Sequence, residues 1–181
     1  RLNKESWFDS STHTFVKPEH RNIGYLPQSL ALFPHLTALD NLVFSLSSPT
    51  PQKKKRERAH NLLEDLSCTH LASKYPRELS GGEAQRIAIA RTLILSPCLW
   101  LFDEPFSAID PSSKDELRSI VLQRISASGA PAIVVTHSPD DIKAFEAQIG
   151  VMSSGTIVQQ GSFDEISKNP LSDFATHISL L

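Results

Sequence analysis

Apolar positions along this chain recur in two rhythms, helical and strand-like, broken at intervals by turn residues. Short strand-like pieces at 6–8 and 12–16, split by Asp9, Ser10 and Ser11, predict a peripheral hairpin whose Trp7 and Phe8 are expected to cover a sheet. Ile23, Gly24, Tyr25 and Leu26 form a short strand that stops at Pro27 and Gln28. Thr37 and Asp40 stand in capping positions before a helix carrying Leu42, Val43 and Leu46, and a second helix turns Ala59, Leu62, Leu63 and Leu66 inward. Between them, 47–52 reads as a linker.

At Ser80 the pattern sharpens. Glu83 follows three residues later, the signature of a capping box, and Ile87, Ala90 and Leu93 or Ile94 recur at helical spacing until Pro97. The unbroken apolar run from Cys98 to Phe102 suits a parallel strand covered on both faces. Asp110 and Pro111 then open a helix over 112–126 with Leu117, Ile120, Val121 and Ile125 on one face. A further apolar run at 132–135 ends in Thr136 and His137. Beyond it lie a helix from Ser138, a hairpin at 149–152 and 156–160, and a last helix boxed by Ser162 and Glu165 and stopped by Asn169 and Pro170.

Composition narrows the class. With 181 residues, 40% of them hydrophobic, the chain is long enough for one domain with a sizeable core. Eighteen basic against twenty acidic residues leave a formal charge of -2, which gives no footing for a nucleic-acid partner. Cys68 and Cys98 have no spacing that suggests a disulfide framework or a metal site, so a reduced, cytoplasmic compartment is expected. No apolar stretch approaches a membrane span and no leader opens the chain, so work at a membrane would require docking to a partner. The run Lys53 to Arg56 reads as a solvated face, and His35 as a polar surface contact.

The candidate chemistry sits at strand ends. In an open α/β sheet ligands bind beyond the carboxyl ends of the strands, so Asp103 and Glu104 are placed for a metal and a water rather than for packing. A right-handed crossover through the 112–126 helix brings His137 to that same edge. Gly81 and Gly82, inside the first turn after Ser80, offer bare backbone N–H groups to an anion.

LSGGE at 79–83, the strand ending in Asp103 and Glu104, the turn SAID ending in Asp110, and the lone His137 resemble, in that order, the nucleotide-binding subunit of ATP-binding cassette transporters. The resemblance implies an α/β, partial P-loop NTPase (cassette) fold with a mainly parallel core sheet, a peripheral antiparallel hairpin and a small helical subdomain. It divides one partial domain, 1–181, into a sheet portion at 1–28, the helical subdomain at 29–75, and the signature helix with all that follows at 76–181. It implies ATP and Mg²⁺ as cofactors, with Asp103 holding the metal through water and Glu104 orienting or deprotonating the attacking water. Gln28 becomes the glutamine that opens the loop sensing metal and γ-phosphate, and His137 contacts the same phosphate. Asp110 belongs to a loop passing between subunits. The implied partners are a second cassette subunit, packed head to tail so that Ser80, Gly81, Gly82 and Glu83 meet its nucleotide, and a transmembrane permease that holds both at the inner face of the membrane.

LFPHLT at 32–37 is similar to import cassettes for molybdate, sulfate, polyamines or ferric iron, and GTIVQQG at 155–161 also resembles the family. The departure is that no G-x-x-x-x-G-K-[ST] occurs among the seven glycines. Without it there is no backbone cradle for phosphates, so the chain is expected to begin after that loop and to be inactive alone. The competing readings are a non-hydrolytic module that supplies only the signature half of a shared site, and a non-transport cassette ATPase of DNA repair or translation. Repair forms carry a long coiled coil, and no sustained heptads occur between Gln28 and Leu79.

Overall fold

Glycine at position 24 sets the geometry of the central sheet. An added Cβ there would lie 2.7 Å from the Trp100 ring, so only a residue without one lets the two strands pair with the indole beneath them. These strands belong to a computed structural model in which residues 2, 5–46, 49–172 and 175 are described. Ser47 and Ser48 of the sequence-derived linker lie outside the described residues. The chain divides into two units, Arg1–Val135 and Thr136–Leu181.

The first unit opens with the expected hairpin, β1 (Phe8–Asp9) against β2 (Thr14–Phe15). The Asp9 carboxylate fixes the turn by accepting from the Ser11 N–H at 2.9 Å. Phe8 differs from expectation in being 69% exposed, while half-buried Trp7 lies beside the Arg21 guanidinium. β3 (Ile23–Leu26) follows, then α1 (Ala38–Ser45), capped by Thr37, whose hydroxyl accepts from the Asp40 N–H at 3.1 Å. α2 (Gln52–Asp65) buries Ala59, Leu62 and Leu63 as its spacing predicts, with Leu66 buried just beyond. Two of its four leading cations are engaged rather than merely solvated. Lys55 donates to the Leu46 carbonyl at 2.6 Å, beyond the end of α1, and Arg56 pairs with Asp40 at 2.8 Å.

α3 (Gly81–Leu93) is buried over nearly its whole circumference after the first turn, packing on β3 on one side and α1 on another. β4 (Leu99–Asp103), α4 (Pro111–Ser128) and β5 (Ala132–Val135) complete the unit. α4 runs two residues past expectation because Gly129, at φ +65°, supplies the left-handed stop. The sheet order is β3-β4-β5, all parallel, with Leu26 opposite Phe102 and Asp103 opposite Val135.

Only one face of that sheet is well covered. Leu26, Trp100 and Phe102 are at most 2% exposed, each such burial contributing about 1.5–3 kcal/mol. On the other face Tyr25, Ile133 and Val135 are each more than half exposed. The strands alternate between the two faces, so the unbroken apolar run does not mark a strand covered on both sides here.

The second unit contains α5 (Pro139–Phe145) and the antiparallel hairpin β6 (Ile149–Ser153) and β7 (Thr156–Gly161), which shifts register between Val151 and Met152. α6 (Phe163–Lys168) follows, and there Ser162 and Glu165 form the expected capping box. Its small core is Val151, Ile166 and Ala175.

Candidate functional site

The edge formed by the carboxyl ends of β3 and β4 brings three of the expected residues together. Leu26 and Phe102 are partners in adjacent strands, so Gln28, two residues past the first, and Asp103 with Glu104, just past the second, leave the sheet side by side. Gln28 is exposed; Asp103 and Glu104 are half-buried. Val135, the last residue of β5, lies opposite Asp103 at the same edge. His137 follows two residues later at the start of the second unit and is exposed.

Glu104 is held by its main chain at both ends. Its N–H donates to the Val135 carbonyl at 2.9 Å, and its own carbonyl accepts from the Ser107 hydroxyl at 3.1 Å and the Gln85 amide at 3.2 Å. That same Gln85 Nε2 donates to the Pro105 carbonyl at 2.6 Å. Between these anchors Glu104 adopts φ +50°, a left-handed conformation that costs a non-glycine residue roughly 1–2 kcal/mol. Strain of this kind persists only where surrounding bonds over-determine it, and it concentrates where side chains must be aimed.

The turn from Ser80 is organised separately. The Ser80 hydroxyl accepts from the Glu83 N–H at 3.3 Å, and Glu83 Oε2 accepts from the Ser80 N–H at 2.7 Å, the reciprocal box read from the sequence. Lys74 approaches Glu83 Oε1 at 3.3 Å. The bond from the Ser80 backbone, then that with its hydroxyl, holds the Glu83 carboxyl below its ordinary range. The two glycines behind Ser80 differ. A Cβ at Gly82 would lie 3.0 Å from the Ala108 carbonyl, so this helix start presses against the turn that follows Glu104, whereas a Cβ at Gly81 would meet nothing within 4 Å.

Asp110 caps α4. Its Oδ1 accepts from the Ser113 N–H at 3.1 Å and from the Ser112 hydroxyl, and these bonds, that of Ser112 foremost, lower its pKa.

Sequence reasoning missed three buried polar residues that organise this region. Gln85, 3% exposed, ties α3 to the Glu104 turn. Arg91, 9% exposed, donates to the Leu30 carbonyl at 2.8 Å and to the Ala31 carbonyl, and lies over the Phe33 ring. Asn41, fully buried, accepts from the Phe33 N–H at 2.8 Å and donates to the Phe33, Leu36 and Thr37 carbonyls. The available signal was a polar residue inside an apolar helix: Arg91 in IAIARTLIL and Asn41 beside Leu42 and Val43. His35 is exposed, edge-on to Phe33, as read from the sequence.

Comparison with known proteins bears on this arrangement. A family model described as ABC transporter matches residues 3–107. The chain belongs to the ABC transporter family. Its relatives include the glucose import ATP-binding protein GlcV of Saccharolobus solfataricus, 39% identical over 93% of this chain and 49% of that protein. The Fe(3+) ions import ATP-binding protein FbpC of Pseudomonas fluorescens is 41% identical over 86% of this chain and 44% of its own length. A probable sulfate/thiosulfate import ATP-binding protein CysA of Chlorella vulgaris is 34% identical, with 94% and 73% covered. The chain thus spans about half the length of the first two. Among solved structures, the dimeric ABC transporter cassette MJ0796 superposes with a TM-score of 0.71 at 29% identity, covering 78% of this chain and 62% of that one. A second MJ0796 structure, a post-hydrolysis state bound to ADP and Pi, gives 0.73 at 27% identity, covering 83% and 69%. This ABC transporter chain therefore has the α/β cassette fold of P-loop NTPases, with the parallel sheet and antiparallel hairpins read from its sequence.

Proposed function

We propose that the chain takes part in ATP-driven solute import as one cassette of a head-to-tail pair, seated on a transmembrane permease at the cytoplasmic face of the cell membrane. The observation that carries this is the shared edge of β3 and β4, from which Gln28, Asp103 and Glu104 emerge side by side. That is the position ligands take in an open α/β sheet. Import is read across from relatives whose names specify glucose, Fe(3+) ions and sulfate or thiosulfate. Among the described residues no helix is long and apolar enough to cross a membrane.

The donor chemistry at the edge fits Mg²⁺. The Asp103 carboxylate and the Gln28 amide oxygen are hard ligands, and Mg²⁺ is commonly held by one or two carboxylates together with water and phosphate oxygens. Among the described residues there is no group of three or more His, Cys, Asp or Glu that could hold a metal ion. When bound, the ion would neutralise charge on the phosphates.

Glu104 orients the attacking water or takes its proton, a role whose loss costs about 10²–10⁴ in rate. Its clamped main chain supports this, because a base fixed before the reaction needs no reorganisation during it. Gln28 and His137 contact the γ-phosphate. Asp110 shapes the loop between cassettes by capping α4. Ser80, Gly81 and Gly82, their turn fixed by Glu83, face the nucleotide held by the other subunit. The open space at Gly81 supports that assignment, since packing within this chain does not require a glycine there.

The 181 residues contain no phosphate loop, so turnover by this chain alone is not expected. The test mixes it with a cassette subunit that carries a phosphate loop but has its own signature serine replaced. Magnesium-dependent ATP turnover in the mixture, abolished by Ser80→Arg in this chain, is the expected result; turnover by this chain alone overturns the shared-site reading. Glu104→Gln in this chain is expected to leave the mixture active, because Glu104 borders the nucleotide position that has no phosphate loop, whereas the corresponding change in the partner is expected to abolish turnover. Retention of a ribosome or DNA-repair complex instead of a permease in a pull-down would move the protein to the non-transport class.

A further inference from the structure

The loop that follows β3 takes an unusual path. Leu30 and Ala31 are consecutive left-handed residues, at φ +61° and +48°, although neither is a glycine, asparagine or aspartate. Nothing in their side chains favours that conformation. Local main-chain bonds contribute, with the Leu30 N–H donating to the Pro27 carbonyl at 2.9 Å and the Ala31 N–H to the Ser29 carbonyl at 2.7 Å. The long-range grip comes from α3, sixty positions along the chain, where the Arg91 guanidinium donates to the carbonyls of both residues. Those bonds exist only while the two carbonyls point together at the guanidinium, which the paired left-handed conformation achieves.

We propose that Arg91 is the positioning residue for Gln28: by gathering the Leu30 and Ala31 carbonyls it locks the left-handed pair, and that pair sets how Gln28 is presented at the sheet edge. Arg91 itself touches no ligand. Its guanidinium is planar, always charged and rich in donors, so it suits two diverging carbonyls in a way that an ammonium does not. The Phe33 ring beneath it and the near-complete burial of its own side chain keep it in place. The catalytic meaning of this lock rests on the reading of Gln28 as a residue facing nucleotide; the lock on the loop does not.

The experiment is backbone NMR on the 181-residue chain without nucleotide. In the unaltered protein the chemical shifts and φ-dependent couplings of Leu30 and Ala31 are left-handed, and right-handed values there overturn the proposal without any variant. In folded Arg91→Ala these signals move toward right-handed values and the Gln28 side-chain amide moves with them; unchanged signals overturn it. Arg91→Lys, the gentler change should Arg91→Ala fail to fold, gives a smaller displacement in the same direction, and none at all counts against the lock. Ala31→Gly, at an exposed site where glycine adopts positive φ freely, supplies the rescue. Added to the Arg91 variant it returns the Gln28 signal toward its original position, while in the unaltered chain it leaves that signal in place. A general stabilising role for Arg91 predicts equal effects in both backgrounds. If the loop signals behave as stated but Gln28→Ala leaves nucleotide turnover by the assembled transporter untouched, the lock stands and the catalytic reading of Gln28 falls.

Discussion

The Gln85 side-chain amide donates 2.6 Å to the carbonyl oxygen of Pro105, binding the signature helix to the turn that carries Glu104. The same nitrogen reaches the Glu104 carbonyl, so one buried amide satisfies two backbone acceptors at a left-handed residue. Gln85→Leu keeps comparable volume but leaves those acceptors without this donor. The expected loss of unfolding free energy is about 1–3 kcal/mol, read from urea denaturation. Loss below the lower figure would mean that Ser107 alone suffices to hold the turn.

The glycines of the chain should respond to alanine in opposite ways. Gly24→Ala drives a methyl into the Trp100 ring and is expected to cost about 1–3 kcal/mol. Gly81→Ala meets open space and is expected to leave the melting temperature unchanged or slightly raised, because alanine is the better helix former. If Ser80 and its neighbours face another subunit's nucleotide, Gly81→Ala should nonetheless weaken ATP-dependent pairing. Calorimetry and analytical ultracentrifugation separate the two effects.

Glu83 gives the signature turn a defined pH dependence. Its folded-state pKa lies below the ordinary value of 4.5, first through the Ser80 backbone N–H and then the Ser80 hydroxyl. A depressed carboxylate contributes stability above its unfolded pKa, and the contribution is lost as pH falls through the folded one. The difference in melting temperature between the unaltered chain and Glu83→Ala should therefore hold steady from neutral pH down to about 4.5 and shrink below it. A difference that grows on acidification contradicts the assignment.

The open sheet face should be sticky. Tyr25 of β3 and Ile133 and Val135 of β5 present apolar surface on one face of the parallel sheet, where sheets of this kind are usually covered. The folded chain is expected to bind a hydrophobic dye and to self-associate, and Ile133→Thr with Val135→Thr should reduce both while the far-ultraviolet circular dichroism is kept. Dye binding that survives the double substitution would assign the surface elsewhere.

Where local chemistry decides structure, the sequence was readable. Ser80 with Glu83, Ser162 with Glu165, Thr37 and Asp110 all cap the helices they were read to cap, because each side chain bonds an amide three positions along. Asp103 and Glu104 stand at a strand end because the apolar run stops there. What could not be read depends on partners distant in the chain. The periodicity of α3 suggested one buried stripe, yet the helix is enclosed, and Arg91 sits inside it bonded to carbonyls at 30 and 31 that no spacing rule connects to it. Leu and Ala disfavour positive φ, so the turn they make runs against their own preference and leaves no local trace. The exposed half of the sheet was equally hidden, since Ile133 and Val135 look the same on paper whether or not anything lies over them.

α3 is a single uninterrupted rod, and about 15 Å of it separates the tip at Gly81 from Arg91. Gly82 abuts Ala108 at one end, Gln85 grips Pro105 a turn later, and Arg91 holds the Gln28 loop at the other. A neighbour leaning on the serine tip would tilt this lever as one body, so both the loop and the acidic turn would register the push together. Contact with another molecule and the placement of Gln28 and Glu104 would then be a single mechanical event, with no relay needed between them.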